Sequence, residues 1–176
     1  MLFERSGFGK IMIILGIDPG YAIVGWGVLE YKNNRFRVLD YGAILTKAGT
    51  PTPERLHTIY RELTAIIHKY RPDAMAVEEL FFNTNQKTGI IVAEARGVIL
   101  LSAVENGVSL YEYTPLQVKQ SVVGYGRAEK KQVISMVTMF LNLDAPPKPD
   151  DTADALALAI CHAHCGASRL GQYYNK

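Results

Sequence analysis

The chain has little that would staple it covalently or anchor it in a membrane. Its 176 residues include only two cysteines. These are Cys161 and Cys165, one helical turn apart, an awkward geometry for a disulfide. A disulfide framework is excluded. The surrounding Cys161-His162-Ala163-His164-Cys165 invites a zinc reading, because both residue types are good ligands. At helical spacing, however, the cysteines share one face and the histidines point elsewhere, which favours two small apolar residues on a core helix. No apolar stretch reaches the roughly 20 residues of a membrane span, and the N-terminus lacks an apolar segment before a small-residue cleavage site. No membrane partner is expected, and the location expected is cytoplasmic. Net charge is nearly absent as well, at +2 from 19 Lys and Arg against 17 Asp and Glu. A polyanionic partner must therefore be met by a local basic patch and not by the field of the whole molecule. Internal repeats and domain-sized linkers are also missing.

Apolar residues are plentiful, at 48%, and a chain of this length buries a full core as one domain. Residues 1–11 are polar and without period, and read as a loose extension, with Met12 a candidate natural start. The domain is expected over 12–165, and 166–176 is a tail without readable signal. Met12 to Ile17 reads as a buried strand, Ile23 to Tyr31 as a second and Phe36 to Thr46 as a third, with Lys32-Asn33-Asn34-Arg35 as the hairpin turn between the last two. A helix from Pro53 to Tyr70 follows, with Leu56, Ile59, Tyr60, Leu63, Ile66 and Ile67 at helical spacing. Arg71-Pro72-Asp73 ends it before the short apolar strand to Glu78. Asn85 to Asn106 is the longest helical candidate, Ser109 to Tyr113 the next strand, and helices are expected at Pro115 to Val122, Ala128 to Leu141 and Ala153 to His164. Pro146-Pro147-Lys148-Pro149 forbids helix and makes Asp150 a candidate N-cap of the last one. Three antiparallel strands followed by right-handed crossovers predict an α/β fold, a mixed five-stranded sheet flanked by helices.

Four carboxylates stand where a folded chain resists placing charge. Asp18 ends the run Ile13-Ile14-Leu15-Gly16-Ile17, and Glu78 ends Ala74-Met75-Ala76-Val77. Asp151 and Asp154 share one face of the first turn of the last helix, where Asp154 interrupts an apolar run. Three of them have an ordinary alternative: a turn signal in Asp18-Pro19-Gly20, a strand edge at Glu78-Glu79, a complement to the helix dipole at Asp151. Jointly they point elsewhere. The carboxyl ends of the first and fourth strands can be neighbours in such a sheet, where ligands of open α/β sheets bind. Acids about 5 Å apart repel by roughly 3 kcal/mol per pair at an effective dielectric near 20. They require raised pKa values or bound cations, and all-oxygen ligands suit Mg²⁺ or Mn²⁺ in phosphoryl-transfer sites.

From Ile14-Leu15-Gly16-Ile17-Asp18-Pro19-Gly20 to Asp151-Thr152-Ala153-Asp154-Ala155-Leu156-Ala157 the chain resembles the RuvC-type Holliday junction resolvases. Matching segments between are Ala76-Val77-Glu78-Glu79-Leu80-Phe81, Ala93-Glu94-Ala95-Arg96-Gly97-Val98, Val118-Lys119-Gln120 and Gly124-Tyr125-Gly126-Arg127-Ala128-Glu129-Lys130. The resemblance implies a ribonuclease H-like fold and a homodimer that nicks two opposed strands of a four-way DNA junction, leaving 5′-phosphate and 3′-hydroxyl ends. It also implies two Mg²⁺ per active site, with Mn²⁺ as a substitute, held by Asp18, Glu78, Asp151 and Asp154, and RuvA and RuvB branch-migration proteins as partners. Some relatives carry His where Asp151 stands. Adjacent Phe81 and Phe82 cannot both point inward if the strand continues, and the likeness puts a base-stacking wedge at Phe81. Lys119, Arg127, Lys130 and Lys131 form the clearest cationic stretch. Such residues usually make a solvated helix face, but the likeness assigns DNA contacts to Lys119, Arg127 and Lys130. Rival readings are a non-catalytic junction-binding module and an ATP-using actin-like protein, which begins with a similar Gly-Ile-Asp-x-Gly. The chain shows no second phosphate loop for the latter.

Overall fold

The computed structural model describes residues 10–79 and 86–166. Residues 1–9 of the expected extension at 1–11, residues 167–176 of the expected tail at 166–176 and the wedge residue Phe81 lie outside them. Strands β1 (Met12–Asp18), β2 (Ile23–Lys32) and β3 (Arg35–Leu45) form an antiparallel meander. Asn33 and Asn34 make the β2–β3 turn at φ 50° and 59°, the left-handed pair that a two-residue hairpin demands and that Asn tolerates. Helix α1 (Thr52–Tyr70) crosses to β4 (Ala74–Glu78), and α2 (Gln86–Glu105) crosses to β5 (Ser109–Tyr113). Both of these strands run parallel to β1, as the element order predicts, and the sheet order is β3-β2-β1-β4-β5. Helices α3 (Pro115–Val123), α4 (Lys130–Phe140) and α5 (Asp150–Gly166) complete the chain.

The helix starts differ from the expected ones for local reasons. The Pro149 carbonyl accepts from Thr152 N–H at 3.0 Å, which closes a turn early and places Asp150 inside α5 instead of capping it. Glu129 N–H donates to Gln132 Oε1 at 2.8 Å, so Glu129 caps α4 and Ala128 stays outside. At α3, Thr114 and Gln117 satisfy each other's backbone N–H groups at 2.8 and 3.2 Å, a reciprocal capping box.

Both sheet faces are covered, which explains why the central strands are continuous apolar runs. On one face Leu15, Ile17, Val28 and Met75 pack against Ile59 and Leu63 of α1 and Ile99 of α2. On the other Ile14, Leu29 and Ala76 meet α3, α4 and α5. Helix α5 is buried almost all round, from Thr152 to Ala163 except Asp154.

Glycine lets it come so close. A Cβ on Gly16 would stand 1.9 Å from the Ala155 carbonyl oxygen, and one on Gly25 would stand 2.1 Å from that of Asp151. Gly16 pairs with Gly27 across the β1–β2 ladder, and Gly25 pairs with Asp18. These positions share one face by the alternation of strands, so the helix backbone rests on a bare patch of sheet that ends at Asp18.

Candidate active site

The β1–β4 register pairs Ile17 with Val77, so Asp18 and Glu78 leave adjacent parallel strands side by side. The N-terminal end of α5, seated on Gly25, brings Asp151 and, one position beyond its first turn, Asp154 to the same end of the sheet. All four acids therefore converge from three elements. Asp18 records the effect: burial first, then the negative charges of Glu78, Asp154 and Asp151, push its carboxyl up to about 8, with Lys130 opposing. Glu78 is also raised, by burial and then by Asp154, while Lys130 and Lys119 pull it back.

Among the described residues no three Asp, Glu, His or Cys stand closely enough to enclose an ion. The carboxylates feel one another without forming a closed cage, and one of them is engaged by a cation of the protein itself. Lys130 Nζ lies 2.8 Å from Asp154 Oδ2, and that contact raises the ammonium's pKa. The donor set is nonetheless that of a hard divalent cation, all carboxylate oxygen. A cation would allow buried Asp18 to ionise, so the residues fit the metal that the sequence calls for.

Lys119 sits half-buried on α3, near enough for its charge to act on Glu78. Arg127 is exposed in the turn between α3 and α4 and forms no ion pair among the described residues. The Cys-His-x-His-Cys stretch is not gathered as a ligand set. Buried His162 shares a 2.8 Å hydrogen bond between Nδ1 and the Tyr113 hydroxyl, while His164 Nδ1 faces Ser121 Oγ at 3.1 Å.

Two arginines to which sequence reasoning gave no role bond backbone near the acids, Arg96 at Glu78 itself and Arg55 at Tyr21, in the turn that follows Asp18. Arg96, on α2, donates from Nε to the Glu78 carbonyl at 3.3 Å and pairs with Glu112 of β5. Arg55 occupies the buried stripe of α1 with Ile59, Leu63 and Ile67. A charge on an apolar stripe is the sequence signal that could have found it.

The family model for the crossover junction endodeoxyribonuclease RuvC matches residues 14–162. The crossover junction endodeoxyribonuclease RuvC of Alkaliphilus oremlandii is 64% identical over 155 residues, 88% of this chain and 94% of that protein. Thermus thermophilus RuvC, solved in complex with a Holliday junction substrate, superposes with a TM-score of 0.85 at 39% identity, covering 91% of this chain and 96% of that one. The yeast mitochondrial Holliday junction resolvase Ydc2 shares the fold at a TM-score of 0.64 and 14% identity, over 97% of this chain and 86% of its own. With the β1 and β4 acids side by side and α5 supplying the other two, the chain belongs to the RuvC family of crossover junction endodeoxyribonucleases.

Proposed function

We propose that the protein resolves four-way DNA junctions by paired symmetric nicks in recombination and repair, with Asp18, Glu78, Asp151 and Asp154 holding two Mg²⁺ ions that Mn²⁺ can replace. The observation that carries this reading is the meeting of four acids from β1, β4 and α5 at one end of the sheet. Bound divalent cations supply a nucleophilic water and neutralise charge at the scissile phosphate. The protein's part is to fix the carboxylates in a half-buried cluster, with Lys119 and Lys130 beside them for flanking phosphates. The bacterial relatives support a cytoplasmic location, and the family likeness adds the RuvA and RuvB branch-migration proteins as partners. Incubation with mobile-core and fixed-core junctions, linear duplex and an RNA–DNA hybrid tests the substrate. Paired metal-dependent nicks restricted to junctions are expected, and equal cutting of duplex or hybrid would overturn the reading.

Lys130 has two tasks in this scheme. It partners Asp154 in the free protein, and it leaves that carboxylate for DNA phosphate once cations take its place. Lys130→Ala should reduce the salt slope of log K for junction binding by about 0.9, one phosphate contact. Fluorescence anisotropy over a range of salt concentrations measures it, and an unchanged slope removes Lys130 from the interface.

Symmetric cutting needs two active sites, and α2 has the surface for a twin. Ile90, Leu101 and Val104 are 60%, 51% and 68% exposed, and with Gly97 between they follow a 7, 4, 3 spacing along one helix face. The opposite face, with Ala95, Ile99 and Ala103, is fully buried in the subunit. A homodimer through this stripe accounts for a helix that is apolar on both sides. The double substitution Leu101→Glu with Val104→Glu should halve the solution mass by light scattering without unfolding the protein. A retained dimer would place the interface elsewhere.

A further inference from the structure

Asp18 lies at the start of a short turn whose far end is held by one side chain. Arg55 Nε donates to Thr46 Oγ1 at 2.8 Å, and its Nη2 donates to the Tyr21 carbonyl at 3.2 Å. Its Cζ stands 3.6 Å above the Tyr21 ring. Thr46 Oγ1 in turn donates to the same Tyr21 carbonyl at 2.6 Å, and Thr46 N–H donates to the Ala22 carbonyl at 3.0 Å. The Tyr21 hydroxyl meets Thr52 Oγ1, at the start of α1, at 2.9 Å.

Arg55 is buried, at 9% exposure, and among the described residues no carboxylate pairs with it. Burying a guanidinium without a counter-charge is costly, and an apolar residue in register with Ile59 and Leu63 would pack there without that cost. Its hydrogen bonds and ring contact converge on Tyr21 and Thr46. Between Asp18 and Tyr21, Pro19 fixes one torsion, and Gly20 lies so close to Ile23 that a Cβ would stand 2.0 Å from the Ile23 carbonyl oxygen. The link from Asp18 to Tyr21 is only two residues long and one of them is proline, so holding Tyr21 limits the directions in which Asp18 leaves β1.

We infer that Arg55 is a positioning residue of the nuclease: by clamping Tyr21 and Thr46 it holds Asp18 in the acid cluster, and so sets the affinity for the divalent cation and the rate of cleavage. The inference rests on the reading of Asp18 as a metal ligand. Small displacements of a reacting group cost on the order of 10²-fold in rate.

Three readouts on the full-length protein test it: Mn²⁺ binding by paramagnetic resonance, junction affinity in EDTA, and single-turnover cleavage across Mg²⁺ concentrations. Arg55→Met should weaken Mn²⁺ binding by about tenfold or more, and should slow cleavage at limiting Mg²⁺ by about 10–100-fold, with recovery as Mg²⁺ rises. Junction affinity in EDTA should stay within about twofold of the wild type, and Arg55→Lys should recover part of the loss. Thr46→Val removes the bridging hydroxyl without touching the charge, and should show a smaller loss of the same kind even if Arg55→Met does not fold. Unchanged Mn²⁺ affinity in Thr46→Val together with either Arg55 variant would overturn the inference. So would weaker junction binding in EDTA with a reduced salt slope, which would make Arg55 a phosphate contact. Asp18→Asn separates the two levels. If it keeps wild-type Mn²⁺ binding, the reading of Asp18 fails first; if it loses binding while the Arg55 and Thr46 variants keep theirs, only the positioning role fails.

Discussion

Asp18→Asn should stabilise the metal-free protein at pH 8 and abolish cleavage at the same time. The stabilisation follows from linkage. The folded state holds the Asp18 proton up to about 8, against an ordinary value of 3.8, so between those values the native protein binds more protons than the unfolded chain. Stability therefore falls as pH rises through this window, with a slope approaching 1.4 kcal/mol per pH unit for one proton. Asparagine keeps the shape and removes the charge. The gain should be on the order of a few kcal/mol near pH 8 and should vanish below about pH 4, where both forms are neutral. Urea denaturation in EDTA at several pH values measures it.

Mg²⁺ should reverse the ranking, because only the native wild type gains from binding it. Metal binding below pH 8 should release about one proton, read by calorimetry in buffers of different ionisation enthalpy. Cleavage should fall by about 10³-fold or more, since metal-assisted charge stabilisation is worth several kcal/mol and each 1.36 kcal/mol is tenfold in rate. A mutant no more stable than wild type at pH 8 would mean that Asp18 is ionised without metal.

Gly25→Ala should cripple the site without altering any carboxylate. The added Cβ would stand 2.1 Å from the Asp151 carbonyl oxygen and 2.4 Å from its carbon. These are backbone atoms with no rotamer by which to escape, and α5 is packed against β1, β2, α3 and α4. Either β2 bends outward or the first turn of α5 lifts, and both separate Asp151 from Asp18. Overpacking of this kind costs about 1–3 kcal/mol or more, and a displacement near 1 Å is enough for about 10²-fold in rate. Thermal unfolding and single-turnover cleavage together should show a folded, less stable and largely inactive protein. Wild-type activity in Gly25→Ala would show that the seat of α5 is not what sets the acid geometry.

What the sequence showed and what it hid divide along a physical line. An apolar run that ends in an acid is visible locally, so β1 with Asp18 and β4 with Glu78 were legible, and right-handed crossovers made them parallel strands whose acids could meet, as the β1–β4 pairing brings about. The first-turn spacing of Asp151 and Asp154 was legible for the same reason. Hidden were contacts made only when distant segments meet. Gly16, Gly25 and Gly27 look like ordinary strand glycines until α5 lies across them. Lys130 looks like one more exposed lysine until α4 brings it to Asp154. Arg55 sits among apolar residues for a reason that lies in Tyr21, 34 positions earlier. The start of α5 was misplaced because Thr152 closes its first turn on the Pro149 carbonyl, which local capping preferences do not anticipate.

The central claim is that the four carboxylates form one metal centre, and a crystal soaked in Mn²⁺, measured at the manganese absorption edge, tests it most directly. The account predicts anomalous peaks among Asp18, Glu78, Asp151 and Asp154, with Lys130 released from Asp154, and none of these peaks in Asp18→Asn. Peaks elsewhere in the wild type, with the four acids left bare, would contradict it.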